Sequence, residues 1–438
     1  MSVPPSLADW VATAAVRTPH APALILGPGL VVDYATLHQR IEAEIATAEP
    51  PLQPGTRWGM VPTADLDGIA RLWAWWRAGA VPIVIPPRGG TALSTARPGW
   101  EIIDRHVADT GDHTWVATSG SSGVPKPVRL TATNVAAAVA ASRRRLGNGA
   151  GDRWLLTLPL HHVGGLSVLW RSAEAGGAVV VQAPFRAEAV AALLAGGEAT
   201  IASLVPTMLA RVLDAHPGPY PEVRAVLVGG APASTGLLRR ALGAGLPVLA
   251  TYGSTETCSQ IATVAPGEQP GAMGTVGRPL DGLAVTVDAP PGETGEIVVD
   301  GDAVSPGYGM APARRGPLHT GDLGRFDGGG RLIVVGRAGT MIRTGGEDVA
   351  PERVEQALVD GESVRAAAVV GIPDEYWGQL VAAVVVPGDR HDPAGDERRL
   401  RATLAPHEVP KRWLVVAALP LLDNGKVDRD RAAALVTS

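Results

Sequence analysis

Thr118-Ser119-Gly120-Ser121-Ser122-Gly123-Val124-Pro125-Lys126 follows directly on the apolar run Trp115-Val116-Ala117. A strand that runs into a hydroxyl- and glycine-rich loop suits a polyphosphate. Glycines let backbone N–H groups approach closely, hydroxyls add donors, and a terminal lysine adds a point charge. The stretch is not a Walker A loop, because Lys126 is followed by Pro127 where that motif needs Ser or Thr. Taken alone, it also reads as a flexible linker. Its meaning depends on the residues around it.

Downstream, short apolar runs recur at Trp154–Leu158, Ala178–Val181, Thr200–Val205, Ala225–Val228 and Val248–Tyr252. Between several of them lie segments with helical spacing, such as Glu188–Leu194 and Pro206–Leu213. Strands alternating with helices predict a mostly parallel sheet covered on both faces. Such sheets bind ligands at the carboxyl ends of their strands. Three motifs fall there: the loop at 118, Val228-Gly229-Gly230-Ala231-Pro232, and Tyr252-Gly253-Ser254-Thr255-Glu256-Thr257.

After residue 265 the pattern changes to short strands punctuated by Gly and Pro, at Leu283–Val287, Gly295–Val299 and Leu332–Val335. This predicts a small β-rich subdomain. Beyond Gly336-Arg337-Ala338-Gly339 it changes again. A helix at Pro351–Leu358 opens with proline in its first turn. Strands at Ala366–Gly371 and Val381–Val386 and a helix near Glu397–Leu404 complete an α+β unit. The expected fold is α/β with two domains. Residues 1–338 form a large domain of mostly parallel sheets flanked by helices, with a small β-barrel-like subdomain. Residues 339–438 form a small mobile α+β domain.

The 438 residues are 46% hydrophobic and 18% charged, enough for a large core. A formal net charge of −5 argues against a nucleic-acid binder, which carries a basic face. The one cysteine, Cys258, excludes an intramolecular disulfide and a cysteine-rich metal site. It reads as a small buried side chain, and a reducing cytoplasm is the expected compartment. The start, Met1-Ser2-Val3-Pro4-Pro5, lacks the basic and apolar regions of a signal peptide. No apolar run of about 18 residues predicts a membrane span.

The loop at 118 gains its meaning in company. Tyr252–Thr257 ends a strand. Leu318-His319-Thr320-Gly321-Asp322-Leu323-Gly324 ends a glycine-rich turn. Gly336-Arg337 follows a strand, and Thr344-Gly345-Gly346-Glu347 precedes a helix. Leu422-Asp423-Asn424-Gly425-Lys426-Val427-Asp428-Arg429 stands near the end, and Leu72-Trp73-Ala74-Trp75-Trp76-Arg77-Ala78-Gly79-Ala80 stands early. This ordered set closely resembles the acyl-adenylate-forming superfamily of acyl-CoA synthetases, adenylation domains and luciferases. The resemblance covers nearly the whole chain.

The resemblance implies a role for each motif. Thr118, Ser119, Gly120, Ser121, Ser122, Gly123 and Lys126 would cradle the β- and γ-phosphates of ATP. Glu256, beside Thr255 and Gly253, is the natural Mg²⁺ ligand, since a hard cation on phosphates takes one or two carboxylates. Asp322 would accept from the ribose hydroxyls, although an Asx-turn after Gly321 is an alternative. Tyr252 would pack beside adenine or belong to the core. Gly229, Gly230 and Ala231 would let backbone approach the base. Arg337 would hold ribose or phosphate. Lys426 would stabilise charge developing where a carboxylate attacks the α-phosphate. In the second half-reaction the C-terminal domain swings, Lys426 leaves, and Gly345-Gly346 faces the site as CoA enters.

Two positions depart from the family pattern. Gly339 stands where the family has a charged hinge residue, and Pro127 where it mostly has glycine. Pro159-Leu160-His161-His162-Val163-Gly164-Gly165-Leu166, with Leu169-Trp170-Arg171-Ser172, resembles o-succinylbenzoate–CoA ligases of menaquinone biosynthesis. It lacks the early aspartate that pairs an amino-acid ammonium. His162 matches the family position beside the acyl pocket, or is a core histidine. Arg171 reads a second carboxylate on the acid, or forms a structural ion pair. Trp377 contacts the CoA nucleotide, or packs under a loop. The expected function is therefore an ATP-dependent acid–CoA ligase working by adenylation and then thioester formation, with o-succinylbenzoate the leading acid. The alternatives are another aryl- or fatty-acyl–CoA ligase, or an adenylating enzyme that loads a carrier protein. The partners implied are a small carboxylic acid, ATP and CoA, with no nucleic acid or membrane insertion. A homodimer is left open.

Overall fold

The computed structural model describes residues 7–27, 29–49, 51–86, 111–118, 126–269, 271–361, 363–388, 391–422 and 426–437. Ser119, Gly120, Ser121, Ser122 and Gly123 of the loop at 118 lie outside the described residues, as do Asp423, Asn424 and Gly425.

The alternation after residue 150 produces a nine-stranded sheet. Its centre runs Val248–Tyr252, Ala225–Val228, Ile201–Leu204, Arg153–Leu156, Ala178–Val181 and Pro22–Ile25, all paired in parallel. These strands are near-continuous Val, Ile, Leu and Ala because both faces are covered. Helices Val163–Ala175, Ala187–Ala195, Pro206–Ala215 and Thr235–Gly243 supply the crossovers. A five-stranded sheet carries the start of the opening motif, in the order Gly307–Tyr308, Lys126–Thr131, Asp112–Thr118, Val81–Val84, Arg57–Met60. The two sheets share one hydrophobic cluster, which includes Trp73, Trp76, Val116, Leu130, Trp154 and Trp170.

The β-rich segment is a four-stranded antiparallel sheet of Leu283–Asp288, Gly295–Gly301, Leu318–Phe326 and Leu332–Arg337. Leu318–Gly324 lies within one of these strands, which begins directly after a bend at residues 316–317. Gly324 sits at a register shift, where a Cβ would fall 2.7 Å from the Ile333 carbonyl oxygen. Glycine at this position serves the irregularity in the strand.

The last hundred residues build on the long hairpin Val364–Asp374 and Gly378–Pro387. Its side chains alternate between two faces. Val369, Val381, Ala383 and Val385 join helices Pro351–Val359 and Pro393–Thr403 in one cluster. Ala368, Val370, Ile372, Ala382 and Val384 face helix Arg429–Thr437 in another. Neither cluster contains a residue before Ile342. Thr344-Gly345-Gly346-Glu347 turns a short hairpin, and strand Glu347–Val349 intervenes before the helix. Among the described residues, no helix is long and apolar enough to cross a membrane.

Candidate active site

The strand Val248–Tyr252 ends in a turn that folds tightly on itself. Ser259 N–H donates to the Ser254 carbonyl at 3.0 Å, and Ile261 N–H donates to that of Tyr252 at 2.7 Å. A Cβ on Gly253 would fall 1.6 Å from the Ser259 carbonyl oxygen, so only glycine closes the turn. Cys258 and Ser259, at φ 51° and 104°, are the non-glycine residues with positive φ among the described residues. Backbone strain of this kind concentrates at functional sites. The turn projects Thr255 and Glu256 from a short 3₁₀ helix.

The β-rich sheet meets this turn from the side. Asp322 and Arg337 are register partners on neighbouring strands. Arg337 Nε lies 3.5 Å from Asp322 Oδ1, and the Tyr252 hydroxyl donates to Asp322 Oδ2 at 2.7 Å. Burial raises the Asp322 pKa, against the Tyr252 hydrogen bond and the Arg337 charge. Burial and the adjacent carboxylate hold the Tyr252 phenol far above its ordinary range, so it stays a donor. Tyr252 is thus tied to the ribose-binding candidate by its polar end.

Glu256 Oε1 accepts from the Tyr308 hydroxyl at 2.9 Å. Burial, and then the Glu256 charge, push that phenol up to about 12. Tyr308 arrives on the strand Gly307–Tyr308, which pairs with the strand that begins at Lys126. Pro127 lies in that strand, and its carbonyl accepts from Gly309 N–H at 2.7 Å. This main-chain bond holds the Tyr308 turn against the strand. Lys126 itself is exposed, and its carbonyl accepts from the Thr118 hydroxyl at 3.0 Å. The two ends of the loop are therefore clamped together. Tyr308 was not legible as a site residue, and its only sequence signal is an aromatic after glycine in a loop.

Lys426 completes the cluster from the C-terminal segment. Its Cε lies 3.8 Å from where a Cβ on Gly230 would stand, and Gly230 has φ +79°. Gly229 lies so close to Thr251 that a Cβ would come 2.7 Å from its carbonyl oxygen. Ala231 follows, exposed. The Lys426 side chain is exposed as a whole, but protein crowds its ammonium. That crowding lowers its pKa, Arg337 lowers it further, and Asp322 and Glu256 oppose the shift. Arg337 and Glu256 thus stand close enough to Asp322 and Lys426 to perturb both.

The other candidates fall outside this cluster. Gly345 and Gly346 sit on their hairpin at φ 61° and 87°, with Gly345 against the Trp377 ring. Trp377 lies beneath the Lys411 ammonium, 3.2 Å from the ring centroid. His162 is the residue before helix Val163–Ala175, with its ring centroid 4.4 Å from that of His161. Arg171, on the same helix, is only 2% exposed. It donates to the Ser259 hydroxyl at 3.1 Å and lies over the Trp154 ring, while Nε is buried without a hydrogen-bond partner. Burial lowers its pKa to about 10. No carboxylate forms an ion pair with it among the described residues, so the ion-pair alternative finds no support. Cys258 is buried, and burial pushes its thiol up to about 12, as suits an inert core side chain.

Among the described residues no group of three metal-ligating side chains occurs. The donor set fits Mg²⁺ brought by ATP, which binds through one or two carboxylates and the phosphates rather than an all-protein cage.

Residues 113–309 match the AMP-binding enzyme family, and residues 353–426 match the AMP-binding enzyme C-terminal domain. The 2-succinylbenzoate–CoA ligase of Bacillus licheniformis is 37% identical over 348 residues, covering 76% of this chain and 72% of that protein. The o-succinylbenzoate CoA synthetase of Bacillus subtilis, in complex with its acyl-adenylate intermediate, superposes with a TM-score of 0.83. It is 28% identical, with 97% of each chain covered. Its complex with ATP and magnesium ion also scores 0.83, at 27% identity over 98% of this chain and 99% of that one. A double mutant bound with the product analogue OSB-NCoA scores 0.68, at 28% identity over 97% of each chain. With its motifs assembled around one charged cluster, this chain belongs to the AMP-binding, acyl-adenylate-forming family of enzymes.

Proposed function

We propose that the chain is a 2-succinylbenzoate–CoA ligase, an ATP-dependent acid–thiol ligase of the cytoplasm. The observation that carries the mechanism is the convergence of Lys426, Asp322, Glu256 and Arg337 at the strand end marked by Tyr252. In the first step an acid carboxylate oxygen attacks the α-phosphorus of ATP, and the bond to pyrophosphate breaks. Asp322 and Arg337 hold the ribose, and Lys426 stabilises the charge that builds between carboxylate and phosphate. Glu256, oriented by Tyr308, holds the Mg²⁺, which offsets phosphate charge when bound. In the second step the CoA thiol attacks the acyl carbon and AMP leaves.

The higher superposition on the adenylate and ATP complexes than on the product-analogue complex supports reading this arrangement as the adenylate-forming one. The thioester step then requires residues 339–438 to turn about Gly339, bringing Gly345 and Gly346 to the acyl carbon. A Cβ on Gly339 would meet nothing within 4 Å, which leaves that joint sterically open. His162 lines the acyl side. Arg171 reads the second carboxylate of the acid, since an unmatched buried guanidinium suits an anionic ligand.

The test is pyrophosphate release over a panel of acids, followed by CoA titration. o-Succinylbenzoate should give the fastest release and consume CoA. Lys426→Ala should slow adenylation at least ~10²-fold, the scale of one preorganised electrostatic group, and spare thioester formation from supplied acyl-adenylate. Equal loss of both steps sinks the assignment. Release with o-succinylbenzoate but without CoA consumption points to carrier loading.

A further inference from the structure

We propose that Arg429 is a positioning residue for Lys426, acting through Glu352 and Glu355 on the helix Pro351–Val359; this rests on Lys426 being the adenylation lysine. Lys426 has a long flexible stem, so where its ammonium stands depends on where its main chain is held. That main chain is fixed. Leu422 N–H donates to the Lys426 carbonyl at 2.8 Å, and Asp428 N–H donates to that of Pro420 at 2.9 Å. The chain then enters helix Arg429–Thr437, and the first residue of that helix is the anchor.

The Arg429 guanidinium grips two carboxylates and a carbonyl. Nη1 lies 2.5 Å from Glu355 Oε1, and Nη2 lies 3.1 Å from Glu355 Oε2 and 3.0 Å from Glu352 Oε1. Nη1 also donates to the Val369 carbonyl at 2.8 Å, while Val369 N–H donates back to Glu355 at 2.7 Å. A two-pronged guanidinium–carboxylate pair fixes direction as well as distance. All three side chains are largely buried, so solvent screens the pairs less than it would at the surface.

One of these carboxylates reaches the nucleotide side. Glu352 Oε2 stands 2.9 Å from where a Cβ on Gly336 would be, and it is buried without a hydrogen-bond partner. Gly336 precedes Arg337, the partner of Asp322. A continuous set of contacts therefore runs from the Lys426 segment through Arg429 and Glu352 to the strand that bears the ribose site. The absence of a side chain at Gly336 lets Glu352 close against it. A helix and a strand thus place the Lys426 segment relative to Asp322, as a preorganised electrostatic group requires.

Arg429→Lys keeps the charge and loses the fork. It should lower the adenylation kcat by roughly 10- to 100-fold, the scale of a misplacement of about an ångström. The KM for ATP and thioester formation from supplied acyl-adenylate should stay within about threefold. In a Lys426→Ala background, Arg429→Lys should slow adenylation no further, because a group acting through the lysine has nothing left to position. Glu355→Gln repeats the measurement if Arg429→Lys fails to fold. Loss by the same factor in both backgrounds, equal slowing of both half-reactions, or unchanged adenylation in Arg429→Lys overturns the inference. Unchanged adenylation in Lys426→Ala alone refutes the reading beneath it.

Discussion

Asp322 offers the sharpest test of how the site holds ATP. Its Oδ2 is already bonded by the Tyr252 hydroxyl at 2.7 Å, while Oδ1 faces Arg337 at 3.5 Å. A ribose hydroxyl donating to this carboxylate makes a charge-assisted bond of about 1.5–3 kcal/mol. At about 1.4 kcal/mol per factor of ten, Asp322→Ala should lower kcat/KM for ATP roughly 10- to 150-fold. Asp322→Asn keeps a neutral acceptor and should lose less. The alanine variant also strands the Tyr252 hydroxyl, at about 1–3 kcal/mol of stability. In a chain of this size that lowers Tm by about 1 °C per kcal/mol, so rates belong well below the transition. The assay is pyrophosphate release with saturating o-succinylbenzoate and varied ATP, 2′-deoxyATP or 3′-deoxyATP. The wild type should discriminate against at least one deoxy analogue by about the factor that Asp322→Ala loses on ATP. The variant should treat ATP and that analogue alike. If Asp322→Ala still discriminates as the wild type does, the carboxylate does not hold the ribose.

The pH profile follows from the same cluster. The Lys426 ammonium is charged below its lowered pKa, so adenylation should fail as pH rises through a value under the ordinary lysine range. Asp322 is ionised only above its raised pKa, so the acid limb should lie above the usual carboxylate range. Lys426→Arg should move the alkaline limb upward in kcat against pH, and an unmoved limb assigns it to another group. Arg171→Met should slow turnover of o-succinylbenzoate by about 10- to 100-fold, the loss of one charged hydrogen-bonding partner. It should spare monocarboxylic acids and leave Tm near that of the wild type, since an unmatched buried charge adds little stability; unchanged o-succinylbenzoate kinetics reject the role. Gly253→Ala forces backbone apart at the Ser259 carbonyl and should cost about 3 kcal/mol or more. A wild-type melting curve for that variant contradicts the closed turn.

Local pattern carried the elements whose causes are local. The apolar runs Ala178–Val181, Ala225–Val228 and Val248–Tyr252 are strands at those bounds, because β-rich runs buried on both faces leave a continuous signature. Pro351 opens its helix for the reason that proline suits a first turn. The strand Leu318–Phe326 is less legible, because Gly321 and Gly324 interrupt its pattern and only the neighbouring strand shows the register.

The chemistry divides along the same line. The amino-acid sequence alone determined the residue types the reaction needs, and their order along the chain placed them in a family. Only the tertiary structure decided that Tyr252 bonds to Asp322, that Tyr308 orients Glu256, and that Arg429 anchors the Lys426 segment to Glu352 and Glu355. These contacts join residues many tens of positions apart. Periodicity reports what a residue does relative to its neighbours in the chain, whereas a hydrogen bond between distant segments depends on how whole sheets are stacked.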